Sequence, residues 1–217
     1  MKRVLMVMLL SSFSAFAERP APAGHAPSEF FATESGVDGP TPGSRYLATL
    51  PNDTREALRR EGRAVLSGKE QGQIRAVIRF ERPIDEVFAS ITQPSQMSKF
   101  LPHVDQSTTV GARSEEGELV DVAVSVLFAS FKYRVQHWYY PEQHRMEWTL
   151  DKSQKSDFVE QVGFWQLYAL DEKTTIAEYG IRVQAKDGFI ELLRGIGERG
   201  GVADALTAIR RHVHSPR

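Results

Sequence analysis

The chain has 217 residues, 41% hydrophobic and 25% charged, which suits one ordinary globular domain with a tail and leaves little room for a second core. Its formal charge is −1 with histidine neutral, so there is no basic excess to grip phosphates, and nucleic acid is not an expected partner. It contains no cysteine, which excludes disulfides, thiolate metal sites and cysteine nucleophiles.

The first seventeen residues read as a secretory signal peptide. Lys2 and Arg3 form a basic start, Val4 to Leu10 is an uncharged apolar run, and Ala15-Phe16-Ala17 is a small-x-small box that predicts cleavage before Glu18. The run is too short for a membrane span, and with no cysteine after the box, lipidation through a thioether is excluded. A periplasmic or secreted protein is therefore expected. Its mature form has 25 basic against 28 acidic residues, a net charge near −3. Residues 18–50 carry Pro20, Pro22, Pro27, Pro40 and Pro42 among Gly24, Gly36, Gly39 and Gly43. No apolar period runs through them, so they read as a flexible spacer. The other reading is an extended arm packed on the domain through Phe30, Phe31, Tyr46 and Leu47.

The folded domain is expected over 51–217. Asp53 can cap a short helix over Thr54 to Glu61. Arg63 to Lys69 and Gln73 to Glu81 read as strands, and in the second Ile74, Ala76, Ile78 and Phe80 share one face by period two. Pro83 then suits the first position of a helix with Ile84, Val87, Phe88 and Ile91 on one side. Pro94 ends it, Ser95 can cap a second short helix, and Pro102 closes that one. Six strands of a meander follow, near 104–111, 118–128, 130–140, 144–150, 157–170 and 174–184. Their short connections favour antiparallel neighbours. Asp187 to His214 is helical again, with Phe189, Leu192, Leu193, Ile196, Val202, Leu206, Ile209 and Val213 at three- and four-residue steps. Gly195, Gly197, Gly200 and Gly201 predict a kink or break near Arg199 to Val202.

Three stretches in this order carry a family resemblance: "RPIDEVFASITQPSQMSKFLPHV", "GFWQLYALDEKTTIAEYGIRV" and the closing "ADALTAIRRHV". Together they span about residues 63 to 214, and the whole resembles the START-like (SRPBCC) helix-grip superfamily, in particular its polyketide cyclase/dehydrase and coenzyme-Q-binding branch. The resemblance implies an α+β fold, with a curved antiparallel sheet of about seven strands wrapped around a long C-terminal helix and two short helices after the first strand. It also implies a cavity between sheet and helix. Packing leads to the same expectation, since a single helix, thinned by glycines, cannot fill a strongly curved sheet, and gaps of that kind are apolar with few polar groups.

Within such a cup, alternation along the strands turns Tyr133, Trp148, Trp165 and Tyr179 inward, with Phe100 from the short helix near the mouth. These five, with Leu193, Ile196 and Gly197 from the terminal helix, are the candidate ligand-binding residues. Tyr hydroxyls and Trp N–H groups serve as polar handles. Ordinary core packing is the plainer alternative for each aromatic residue.

His103, His137 and His144 are the histidines of the strand region; His137 is a candidate acid/base only if something orients it. His212 and His214 are two apart and do not share a helix face. No metal-ligand spacing, serine elbow or phosphate loop occurs, so no metal and no cofactor are expected. Arg134, Arg182, Glu160 and Glu178 fall in strands and are expected on the solvated outer face.

The functional expectation is an extracytoplasmic carrier of a hydrophobic small molecule: a lipid, quinone or isoprenoid. Its partners are that ligand and, transiently, a membrane; the oligomeric state is left open. The rivals are a cyclase or dehydratase using the same cavity, with only His137, Tyr133 or Tyr179 to supply acid/base chemistry, and an interaction module whose cavity is occluded.

Overall fold

The computed structural model describes residues 39–66, 72–114, 117–126, 129–185 and 201–215. In chain order these form α1 (Pro42–Thr49), α2 (Asn52–Glu61), β1 (Arg63–Leu66) and β2 (Gln73–Phe80). Then come α3 (Ile84–Ile91), a 3-10 turn (Pro94–Gln96) and α4 (Met97–Phe100). The meander is β3 (Val104–Ser114), β4 (Gly117–Val126), β5 (Ala129–Tyr140), β6 (Arg145–Leu150), β7 (Phe158–Asp171) and β8 (Thr174–Ala185), and α5 (Gly201–His214) follows.

The strands make one antiparallel sheet in the order β1-β2-β8-β7-β6-β5-β4-β3. That is eight strands rather than about seven. The first hairpin joins the last strand of the meander, so β2 and β8 lie side by side although far apart in sequence. Period-two alternation sorts the two faces. Across the inner face the successive cross-strand partners are Glu118, His137, Trp148, Gly163, Ile181 and Ile74.

Ala76, Ile78 and Phe80 of β2, Val87 and Phe88 of α3, and Leu206 and Val213 of α5 join one buried inner cluster. α5 lies against β1, β2 and α3. Its far end is pinned to the end of β2, where Arg210 Nε donates to the Arg79 carbonyl at 3.0 Å and the Glu81 amide donates to His214 Nε2 at 3.0 Å. Val202 and Ile209 are only partly buried and pack against the same cluster. Of the break expected near Arg199 to Val202, only Gly201 and Val202 are among the described residues, and both lie within α5; Asp187 to Gly200 lie outside them.

The segment read as a flexible spacer does not extend to residue 50. Pro42–Thr49 is a helix, because Pro42 sits in its first turn and Thr41 and Ser44 form a reciprocal capping box. It is held on the outer face of β7. Tyr46 stacks on Tyr168 with ring centroids 4.4 Å apart, and the Thr41 hydroxyl donates to the Leu170 carbonyl at 3.1 Å. Of the anchors considered for an extended arm, Tyr46 and Leu47 do pack, but from a helix. Phe30, Phe31 and the signal-peptide pattern lie outside the described residues.

Helix starts also differ from expectation. α2 starts at Asn52 after Pro51, so Asp53 sits in its first turn rather than at its cap. Pro83 caps α3 rather than opening it, and the turn after Pro94 runs directly into α4 without a serine cap.

The outer face is not uniformly solvated either. Arg182 pairs with Glu160 at 3.1 Å and Arg134 with Asp121 at 2.6 Å, as surface pairs would. Glu178 is fully buried. α1 and α2 cover this part of the sheet, and Arg75 from the neighbouring strand supplies its counter-charge, with Nε donating at 3.1 Å. A carboxylate so placed is retained only because it is paired.

Leu206 is 2% exposed at the centre of the helix–sheet contact. Leu206→Ala is expected to lower unfolding stability by about 2–5 kcal/mol in denaturant melts. A loss below about 0.5 kcal/mol would mean that α5 does not close the domain.

Candidate functional site

Between α5, the α3–α4 segment and the inner face of the sheet lies a partly open cavity of about 320 Å³. Its sheet wall comes from β3 to β8 and from Ile74 of β2. Its roof is Ile91, Pro94, Met97, Phe100 and Leu101, and its helical side is Val202, Ala205, Leu206 and Ile209. The roof is fastened to the sheet by the Ser107 hydroxyl, which donates to the Pro94 carbonyl at 2.6 Å. It is fastened to the helix by Phe100, which stacks on His212 with centroids 4.0 Å apart.

Phe100, Tyr133, Trp148, Trp165 and Tyr179 all line this cavity. Leu193, Ile196 and Gly197 lie outside the described residues. The aromatic side chains form a continuous shelf, with Tyr179 stacked near-parallel on Trp148 at 5.9 Å and tilted against Trp165 at 4.8 Å. Backbone packing sets the shelf. Trp148 and Gly163 are cross-strand partners, and a Cβ on Gly163 would come within 2.2 Å of the Trp148 ring. The indole therefore lies flat across the glycine, and no larger residue fits beneath it.

Few polar atoms interrupt the wall. His137 and Gln161 are buried and line the cavity, and His137 Nδ1 and Gln161 Oε1 have no hydrogen-bond partner among the described residues. Gln161 went unnoticed in the sequence. It shares the inner face of β7 with Gly163 and Trp165 at period two, and a lone amide in an apolar row was the available signal. The Gln161 amide lies close enough to the Tyr133 phenol to favour its ionised form.

Burial governs the protonation of these groups. Desolvation pushes the His137 pKa down to about 3, with the Arg113 guanidinium adding to the effect. Desolvation also pushes the Tyr133 phenol up to about 12, against the lowering effect of the Gln161 amide, and moves Tyr179 upward as well. All three are neutral near pH 7, and none titrates there. Glu118 faces His137 across the β4–β5 pair, but its carboxylate accepts from Tyr139 at 2.8 Å and from the Thr109 hydroxyl.

The other histidines have separate places. His103 lines the mouth in a left-handed conformation, φ 67°. His144 lies 2.8 Å from Asp85 of α3, while His214 contacts Glu81 at 3.2 Å. Among the described residues, no cluster of three or more His, Asp or Glu side chains could hold a metal ion.

The neutral burial of His137 has a sign that can be measured. Between about pH 6.5 and 3 the unfolded chain binds a proton at this ring that the folded chain does not. Its contribution to stability is therefore complete above that window and is lost as the pH falls through it. His137→Phe should remove this component, making the pH dependence of unfolding shallower by up to about 1.4 kcal/mol per pH unit. Parallel pH profiles for the two proteins would show that the ring is not held neutral.

The model for the family described as polyketide cyclase / dehydrase and lipid transport matches residues 71–213. No curated protein sequence matches the chain. Among solved structures, the chain is similar to the Zhui aromatase/cyclase from Streptomyces, with a TM-score of 0.56 and 14% identity over 66% of this chain and 96% of that one. It is also similar to a START superfamily protein from Mycobacterium smegmatis, with a TM-score of 0.50 and 16% identity over 62% and 93%. Norcoclaurine synthase from Thalictrum flavum gives a TM-score of 0.50 and 13% identity over 70% and 98%. At these identities the likeness is one of fold, a sheet gripping its terminal helix, and together with the sequence match it places the chain in the polyketide cyclase / dehydrase and lipid transport family.

Proposed function

We propose that this domain takes up a hydrophobic small molecule, of the lipid, quinone or isoprenoid class, and holds it by burial rather than by reaction. The observation that carries the reading is the cavity of about 320 Å³, walled by Trp148, Trp165, Tyr179 and aliphatic side chains, with very few polar atoms. That volume is at the lower end of the range for small-ligand pockets, about 300–1,000 Å³. It suits a ring system or a short chain segment, with any longer tail leaving through the open side. Covering roughly 300 Å² of apolar ligand surface is worth about 7 kcal/mol before the cost of association, whereas one hydrogen bond adds about 1 kcal/mol. Burial thus supplies affinity, and the polar groups supply orientation.

Protonation separates this reading from a cyclase or dehydratase. General acid/base catalysis works best with a pKa near the working pH. His137 and Tyr133 are displaced from neutrality in opposite directions, and Tyr179 moves the same way as Tyr133. The open cavity likewise counts against a module with a filled interior.

The cell envelope is the proposed place of action, on the strength of the amino-terminal pattern from Lys2 to Ala17. Protein recovered from an expressing bacterium should then have the intact mass of a chain beginning at Glu18; a cytoplasmic protein retaining Met1 would overturn export and the envelope role together.

Two of the three tryptophans, Trp148 and Trp165, line the cavity. Titration with a quinone, a fatty alcohol or a sterol should give a saturable change in intrinsic fluorescence. Absence of saturable binding across all three classes would leave the ligand-binding reading without support.

A further inference from the structure

The cavity's polar atoms fall into two groups. The first is the Tyr133–Gln161 pair. Gln161 Oε1 is a buried acceptor without a partner among the described residues, and the Tyr133 phenol lies beside the Gln161 amide. Tyr133 also lines the cavity, and its hydroxyl has its own proton to donate. The second is His137, whose Nδ1 is likewise buried and without a partner among the described residues. Gln161 is 7% exposed and His137 4%, so water in bulk does not satisfy either.

Tyr133 and His137 lie a step of four residues apart on β5, an even step that puts both on the inner face, with about 13 Å of strand between them. The Trp148–Tyr179–Trp165 shelf fills the neighbouring strands. Leaving such atoms unpaired costs about 1–3 kcal/mol each, so a bound molecule that pairs them gains more than an exposed hydrogen bond would give.

The described residues that line the cavity include no Asp, Glu, Lys or Arg. A ligand carboxylate or phosphate placed against Gln161 Oε1 would face an acceptor and no counter-ion, a costly arrangement in an apolar enclosure. A hydroxyl meets both needs of the first group, donating to Gln161 Oε1 and accepting from Tyr133. Neutral His137 can serve a second oxygen as donor or acceptor, according to tautomer.

Resting on the reading that this cavity holds a hydrophobic ligand, we propose that the ligand is an uncharged, flat ring compound bearing a hydroxyl or carbonyl oxygen at each end. The Tyr133–Gln161 pair takes one end, His137 takes the other, and the rings lie on the aromatic shelf.

The test uses the folded chain and a matched series: anthracene, 2-hydroxyanthracene, 2,6-dihydroxyanthracene and anthracene-2-carboxylate. Binding is followed by energy transfer from tryptophan. Affinity should rise about 3- to 10-fold with each hydroxyl, and the carboxylate should bind at least about tenfold more weakly than 2-hydroxyanthracene. In Gln161→Leu and in His137→Phe, the ratio between the dihydroxy and monohydroxy compounds should fall to within about twofold, since one end then has no partner. Equal affinity for anthracene and its diol in the unaltered protein, or tightest binding by the carboxylate, overturns this proposal and leaves hydrophobic binding standing. Failure of all four compounds to bind counts against the hydrophobic-ligand reading itself. The comparison in the unaltered protein decides the matter even if a variant does not fold.

Discussion

One helix has to cover eight strands, and it cannot. At about 4.8 Å per strand the sheet is roughly 34 Å wide, while a helix with its side chains is about 10–12 Å across. α5 settles over one end, against β1, β2 and α3, and is fastened there through Arg210 and His214. The far half of the inner face is left to the short α3–α4 segment, which is tied to the sheet through Ser107 and to α5 through Phe100. The cavity is what remains between these two partial covers. Its existence follows from widths, before any particular ligand is considered.

The wall that faces this gap is stiffened from both sides of the sheet. On the inner face Trp148 lies across Gly163, and on the outer face Phe164 lies across Gly180, where a Cβ would come within 2.4 Å of the Phe164 ring. Gly163 and Phe164 are neighbours in β7, so consecutive residues take part in overlays on opposite faces. Further along the outer face, α1 and α2 bury Glu178 with Arg75 beneath the Tyr46–Tyr168 stack. The sheet is therefore packed on its convex side as well, unlike an antiparallel sheet that simply faces water.

Much of this was legible in the sequence, for a physical reason. The six strands of the meander lie within a few residues of their expected places because period-two alternation and turn residues are local signals. The same alternation put Tyr133, Trp148, Trp165 and Tyr179 on the inner face. Features that depend on distant partners were not legible. Glu178 looks like a surface charge until α1 is seen to cover it, and α1 itself hides in a Pro- and Gly-rich stretch, where its capping box outweighs composition. Gln161 passed as one polar residue among others, since only the three-dimensional enclosure reveals that its oxygen has no partner among the described residues.

The two glycine overlays divide the cavity into a part that resists change and a part that tolerates it. A substitution beneath Trp148 or Phe164 must displace a ring or a strand, so the sheet wall keeps its shape over large changes elsewhere in the chain. Met97 in the roof and Val202, Ala205 and Ile209 on the helix point into the same space from partly buried positions without such a lock. Exchanging one aliphatic side chain for another there alters the volume by a methylene or two at modest cost. Diversification of ligand choice within this architecture would accordingly run along the helices, while the aromatic shelf stays constant as the common floor.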